Sequence, residues 1–345
     1  MIDFRYHLVS IVAVFLALAI GIVLGSTELQ GPAFSLLDKT TSKLQNELGQ
    51  VSSQRDTAQQ QATESELYAQ AVEPVVLHDL LTGHRLLIVT EPGAQPSVVS
   101  GITTAAIHAG ATVTGEINLQ PKFFDTSGTA QDSLYQTTLD VAQTAGIQLD
   151  TGTTYQQQAA QLIASEILTT SPAPAGSRPS GSGQAAGAAS MLQAYAASQF
   201  LSTSGQPALP ATLAVVVTPQ YAPTDGSADQ LDQILIPLVQ ELAAKSAATV
   251  VAGSSAGSGA ASPIALLRSN SVSSQVSTVD DADLAAGQTV AMQALAVELA
   301  GGKAGSYGFT ANGASAIAPS PAPTPSASAS VSATPTPSTK KKASK

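Results

Sequence analysis

The chain has no cysteine in its 345 residues, which excludes disulfides, thiolate metal sites and cysteine nucleophiles. Aromatic residues are 4% of the total and charged residues 11%, with Ala, Ser, Thr, Gln and Gly in their place. In such a composition single Ala or Gly positions carry little information. Basic residues are scarcer than acidic ones. The lysines at 340–342 and 345 are the only charges beyond residue 310, so residues 1–310 set 10 basic side chains against 24 acidic ones. That surface repels phosphate instead of releasing counterions, which excludes nucleic acid as a partner.

Several motifs are missing too. His7, His78, His84 and His108 include no pair three or four residues apart, the spacing that puts two metal ligands on one helical face. Met1, Met191 and Met292 are too few and scattered for a soft copper(I) track, and the last two read as core filler. Thr90-Glu91-Pro92-Gly93-Ala94 has one glycine, and a carboxylate where a phosphate would sit. The run from Ala252 to Gly259 is glycine-rich but lacks the lysine of a phosphate-binding loop. Serines are plentiful, yet no Ser/His/Asp set can be assigned by spacing. The expectation is a protein that is not an enzyme and holds no evident cofactor.

What is present begins with Leu8–Leu24, an uncharged apolar run long enough to cross a bilayer core of about 30 Å at about 1.5 Å per residue. A signal peptide has a shorter apolar region and a clearer cleavage site, and a buried core helix is the other alternative. Arg5 on one flank, against Glu28, Asp38 and Lys39 on the other, puts residues 1–7 in the cytoplasm and the rest outside it. The expected location is the plasma membrane, with the lipid bilayer as a partner.

Residues 35–71 are polar, glutamine-rich and free of proline, with Leu37, Leu44, Val51 and Ala58 seven residues apart and Leu48 and Ala62 on the intervening seam. This pattern predicts a coiled-coil stalk that pairs with a like or unlike helix; one long helix packed on its own domain is the alternative. Arg55 on the seam makes the pairing weak. Pro74 is expected to stop the stalk.

Residues 75–309 read as an extracytoplasmic α/β domain, for which the 43% hydrophobic content supplies a core. Arg85–Thr90 has the look of a buried parallel strand, with a helix through Val98, Ile102 and Ala109, a stop at Gly110 and a strand at 112–119. Later strands are expected at Leu213–Val217, Thr249–Ala252 and Val276–Val279, with helices at Ala228–Lys245 and Asp283–Ala300. Alternation of this kind predicts a Rossmann-like parallel sheet of four to six strands with helices on both faces. Residues 171–190 read as a flexible loop, residues 305–309 as a turn lidding the core, and residues 310–345 as a disordered Pro-rich tail.

The candidate metal ligands are Asp280, Asp281 and Asp283, at the strand-to-helix edge where open α/β sheets place their sites. The competing assignment has these acids capping the helix and complementing its dipole. The candidate partner-binding residues are Leu37, Leu44, Leu48 and Val51.

The opening Met1-Ile2-Asp3-Phe4-Arg5-Tyr6-His7-Leu8-Val9-Ser10, running into Phe15–Gly25, resembles the start of the actinobacterial copper transport protein MctB family. Gln54-Arg55-Asp56, Gly83-His84-Arg85, Pro92-Gly93-Ala94, Ser277–Asp280 leading to Ala286-Gly287-Gln288, and Tyr307-Gly308 are similar to that family as well. The resemblance covers residues 1 to about 309. It implies an envelope protein that limits intracellular copper, described as a channel, with the outer envelope as a further location. The strands themselves are few, short and continuously apolar, as in a soluble sheet and unlike the ~9–11-residue alternating strands of a membrane barrel. A related branch implies a stalked partner of another membrane protein in cell separation and wall hydrolysis.

Overall fold

The apolar run and the glutamine-rich stretch lie on one helix, α1 (Phe4–Leu77). This computed structural model describes residues 4–150, 152–171, 182–220, 228–254, 262–309 and 314–319. The chain divides into two compact units, Met1–Tyr68 and Ala69–Lys345. In the first, Phe4–Gly25 has a mean hydropathy of 2.9 with none of it buried. Its 22 residues reach about 33 Å at ~1.5 Å per residue, long and apolar enough to cross a membrane.

Pro74 does not stop the helix, contrary to expectation. A proline costs the helix one N–H donor, but here the last turn is held from outside. Leu77 is fully buried, and Glu73, 5% exposed, bonds the His108 ring at 2.7 Å.

The second unit is built on a seven-stranded sheet. Its elements in chain order are β1 (Arg85–Thr90), α2 (Pro96–His108), β2 (Thr112–Leu119), α3 (Gly128–Ala145), α4 (Tyr155–Ile167), α5 (Ser182–Ala197), β3 (Leu201–Gly205), β4 (Leu213–Val217), α6 (Ala228–Lys245), β5 (Ala248–Ala252), α7 (Pro263–Ser269), β6 (Ser277–Val279), α8 (Ala285–Leu299) and β7 (Ser306–Tyr307). The spatial order is β3-β2-β1-β4-β5-β6-β7, so the chain reverses its direction of travel between β1 and β4.

Successive strand residues face opposite sides, and each side is covered. Leu87, Val89, Val216 and Val251 pack against α3 to α6, whereas Leu86, Ile88, Val215 and Val250 pack against Leu77, α2 and α8. Burial on both faces is what makes β1, β4 and β5 read as unbroken apolar runs.

Four expectations change. The sheet has seven strands, not four to six, and β3 runs antiparallel to β2. β3 reads LSTSG and buries only Leu201, so it gives no apolar signal and owes its pairing to the neighbouring strand. The loop expected over 171–190 is helical from Ser182, where α5 begins; 172–181 lie outside the described residues. The segment 305–309 holds β7, paired parallel to β6. The tail does not begin at 310, because Ala316 accepts a hydrogen bond from the Gly308 N–H at 3.1 Å; residues 320–345 lie outside the described residues.

Candidate functional site

The parallel strands end together on one edge, and hydrogen bonds carry the ladder one residue past each strand. Glu91 N–H donates to Val217, Thr218 to Ala252 and Gly253 to Val279, at 3.0, 2.9 and 2.8 Å. These residues line up beside the reversal between β1 and β4, where open α/β sheets place ligands.

Arg268, carried in by the seven-residue α7, ties the ends of β6 and β7 together. Its Nε donates to Thr278 Oγ1 at 3.0 Å, and its two terminal nitrogens donate to Asp280 Oδ2 at 2.9 Å and to the Tyr307 carbonyl at 2.7 Å. Asp280 Oδ1 accepts the Phe309 N–H at 2.9 Å. The ion pair is 7% and 4% exposed. Breaking such a buried pair leaves one charge without compensation, at a cost of about 3–5 kcal/mol. Gly308, at φ +116°, passes so close that a Cβ there would fall on Asp280 Oδ1, so glycine is required both by backbone and by space. Beside the pair, Thr218, Gly253, Ser254 and Ser262 enclose about 10 Å³, room for roughly one water.

Asp281 and Glu91 are the uncompensated carboxylates of this edge. Asp281 is 6% exposed and its Oδ1 has no hydrogen-bond partner. Burial, then the neighbouring Asp280 charge, push it up to about 6. Glu91 is 3% exposed with Oε1 unpartnered, and burial alone pushes it up to about 8. Burial therefore favours the neutral form of Glu91.

Asp280 is occupied by Arg268, and among the described residues no three His, Cys, Asp or Glu side chains are grouped to hold a metal ion. α8 starts at Ala285, two residues after Asp283, with Leu284 at its N-cap. The turn at Asp281 delivers the chain into α8 through its carbonyl, which accepts the Leu284 N–H at 3.0 Å.

Sequence reading passed over Gly253-Ser254-Ser255-Ala256-Gly257, which has the G-x-S-x-G spacing of a serine hydrolase elbow. Ser255 lies outside the described residues. The histidines a triad would need are elsewhere: His84 precedes β1 and His108 ends α2, both at the opposite edge of the sheet. Arg268 was also passed over, since no motif marks it and its partners lie 10 to 39 positions away.

In the first unit, Leu37, Leu44, Leu48 and Val51 are 68%, 53%, 68% and 62% exposed. All four lie on α1 at the spacing that groups them along one side of a helix. Arg55, on the same seam, is bonded to Asp56 at 2.8 Å.

Comparison with known proteins places this architecture. The family described as "Copper transport outer membrane protein, MctB" matches residues 1–319. The chain belongs to the MctB family. Its relatives include the copper transporter MctB of Mycobacterium tuberculosis, 27% identical over 320 residues, and that of Mycobacterium leprae, 27% identical over 329 residues. Each alignment covers 92% of this chain and 99% of the relative. The family match therefore takes in the apolar helix, the sheet and the Ala316 contact, and stops at 319, one residue before the final undescribed stretch. A family of envelope proteins and an apolar N-terminal helix fit a membrane-anchored protein.

Proposed function

We propose that the chain is a single-pass, membrane-anchored envelope protein that serves copper handling without catalysing a reaction. The observation that carries this reading is the match over residues 1–319 to a family named for copper transport. The exposed apolar helix Phe4–Gly25 supports the anchor, and the charge flanking it supports an N-terminus inside with the sheet domain outside. Copper enters this reading as cargo, in line with the family's name.

Cells lacking the protein, grown under sublethal copper and analysed by elemental mass spectrometry, are expected to hold several-fold more copper. The full chain restores the low level and a chain without Phe4–Gly25 does not. Unchanged copper content in the deletion strain would remove this reading.

The exposed seam of α1 favours a second role beside the first, as an interaction module that pairs with another stalk. Four large apolar side chains facing water stabilise nothing in the described chain, and a partner helix would bury them. A partner active in cell separation or cell-wall hydrolysis fits an anchored stalk carrying a sheet domain.

A further inference from the structure

A cleft of about 450 Å³ lies beside the same sheet edge, on the far side of β1 from Arg268, lined by Thr90, Ala94, Pro96, Val99, Ser100, Thr103, Thr104, Glu116 and Asn118. Its volume is within the ~300–1,000 Å³ range of small-ligand pockets. β2 supplies the floor and α2 the wall.

Glu116 is the anomaly. It sits mid-strand, level with Ile88 on β1 and Ser204 on β3, half-buried, and its carboxylate has no hydrogen bond or ion pair among the described residues. Glutamate is disfavoured in strands and most of all in a paired interior one. Two residues on, Asn118 accepts the Thr90 hydroxyl at 2.7 Å through its side-chain oxygen, which leaves its amide N–H groups for the cleft. Ser100, exposed on α2, adds a hydroxyl, and Ala94, Pro96 and Val99 add an apolar side.

The chemistry of the lining selects among ligands. Phosphate is repelled by Glu116 and finds no lysine, arginine or histidine in the lining. An ammonium group satisfies the carboxylate but leaves the Asn118 donor unmatched, and an apolar ligand would leave both dry. A group that donates and accepts at once satisfies all of them. We propose that this cleft binds a neutral, hydroxyl-rich carbohydrate, with vicinal hydroxyls donating to Glu116, a ring or hydroxyl oxygen accepting from Asn118, and the C–H face of the ring against Pro96 and Val99. The site shares no lining residue with the Arg268 cluster and does not depend on the copper reading.

The test is saturation-transfer NMR on the full chain in nanodiscs, free of sugar detergents, with chitotriose and mannotriose as probes and putrescine as the cationic control. At least one trisaccharide is expected to give a saturable signal with a Kd of roughly 0.1–5 mM. Glu116→Ala should weaken it about tenfold or more, the effect of losing one charge-assisted contact. Ser100→Phe, a filling change at an exposed helix position, should abolish it with the circular dichroism melt unchanged. Sedimentation with purified cell-wall sacculi separates a polymer-borne sugar from a free one. Absence of signal from both trisaccharides, binding indifferent to Ser100→Phe, or displacement by putrescine at equal concentration would each overturn the proposal.

Discussion

Replacing Glu91 with glutamine is expected to make the sheet domain more stable than the native chain at pH 9 and nearly equal to it at pH 5. Burial raises the folded carboxyl to about 8 from an ordinary value of 4.5. Between those two values the folded state holds more protons than the unfolded one, so stability falls as pH rises through that window. The contribution is fully present below the unfolded value and fully lost above about 8. Asp281, pushed up to about 6, and Glu298, raised by burial, work in the same sense, so the difference between the native and Glu91→Gln curves isolates the Glu91 part. Glutamine keeps the shape and cannot ionise, so its curve should flatten there, by an amount on the order of a few kcal/mol. Far-UV circular dichroism melts of the full chain at pH 5, 7 and 9 check this. Parallel native and Glu91→Gln curves would mean that the carboxyl is solvated.

The stalk prediction is larger in consequence. The double change Leu44→Asp with Val51→Asp should abolish association through α1, whereas Ser53→Asp, on the opposite side of the same helix, should leave it intact. Fully burying a leucine or valine contributes ~1.5–3 kcal/mol, and an aspartate placed at a seam position adds the cost of desolvating a charge. Two such positions exceed about 4 kcal/mol, a thousandfold in affinity. Native mass spectrometry of the full chain in nanodiscs reads self-pairing, and affinity capture from membranes reads a different partner. Retention of the same partners by the double variant would return the helix to solvent as a bare spacer.

Much of this architecture is legible in the residues, and the rest is hidden for identifiable reasons. β1, β4 and β5 announce themselves because both faces of the sheet are covered, so each carries a mostly apolar run buried almost end to end. α2 shows its buried stripe through Val98, Ile102, Ala105 and Ala106, and Gly110 marks its end with φ +80°. β3 is silent because an edge strand of Ser, Thr and Gly takes its conformation from pairing with β2. Pro74 misleads because contacts at Glu73 and Leu77, contributed from distant sequence, outweigh a local helix breaker. At the candidate site, the carboxylates of 280, 281 and 283 stand out by composition. Their roles do not, since the decisive partner of Asp280 is an arginine 12 positions earlier on a separate helix. Glu91 is visible as an acid in a turn, but its burial is a property of the assembled edge.

The anchored arrangement underlies the copper reading and the stalk partner alike. It is tested most directly by exploiting the absence of cysteine: one cysteine is introduced as Gln143→Cys, an exposed position on α3, and cells are treated with a membrane-impermeant maleimide. The account predicts labelling of intact cells, with the labelled protein remaining in the membrane pellet after carbonate washing. Labelling only after lysis, or a freely soluble product beginning near Ser26, would contradict it.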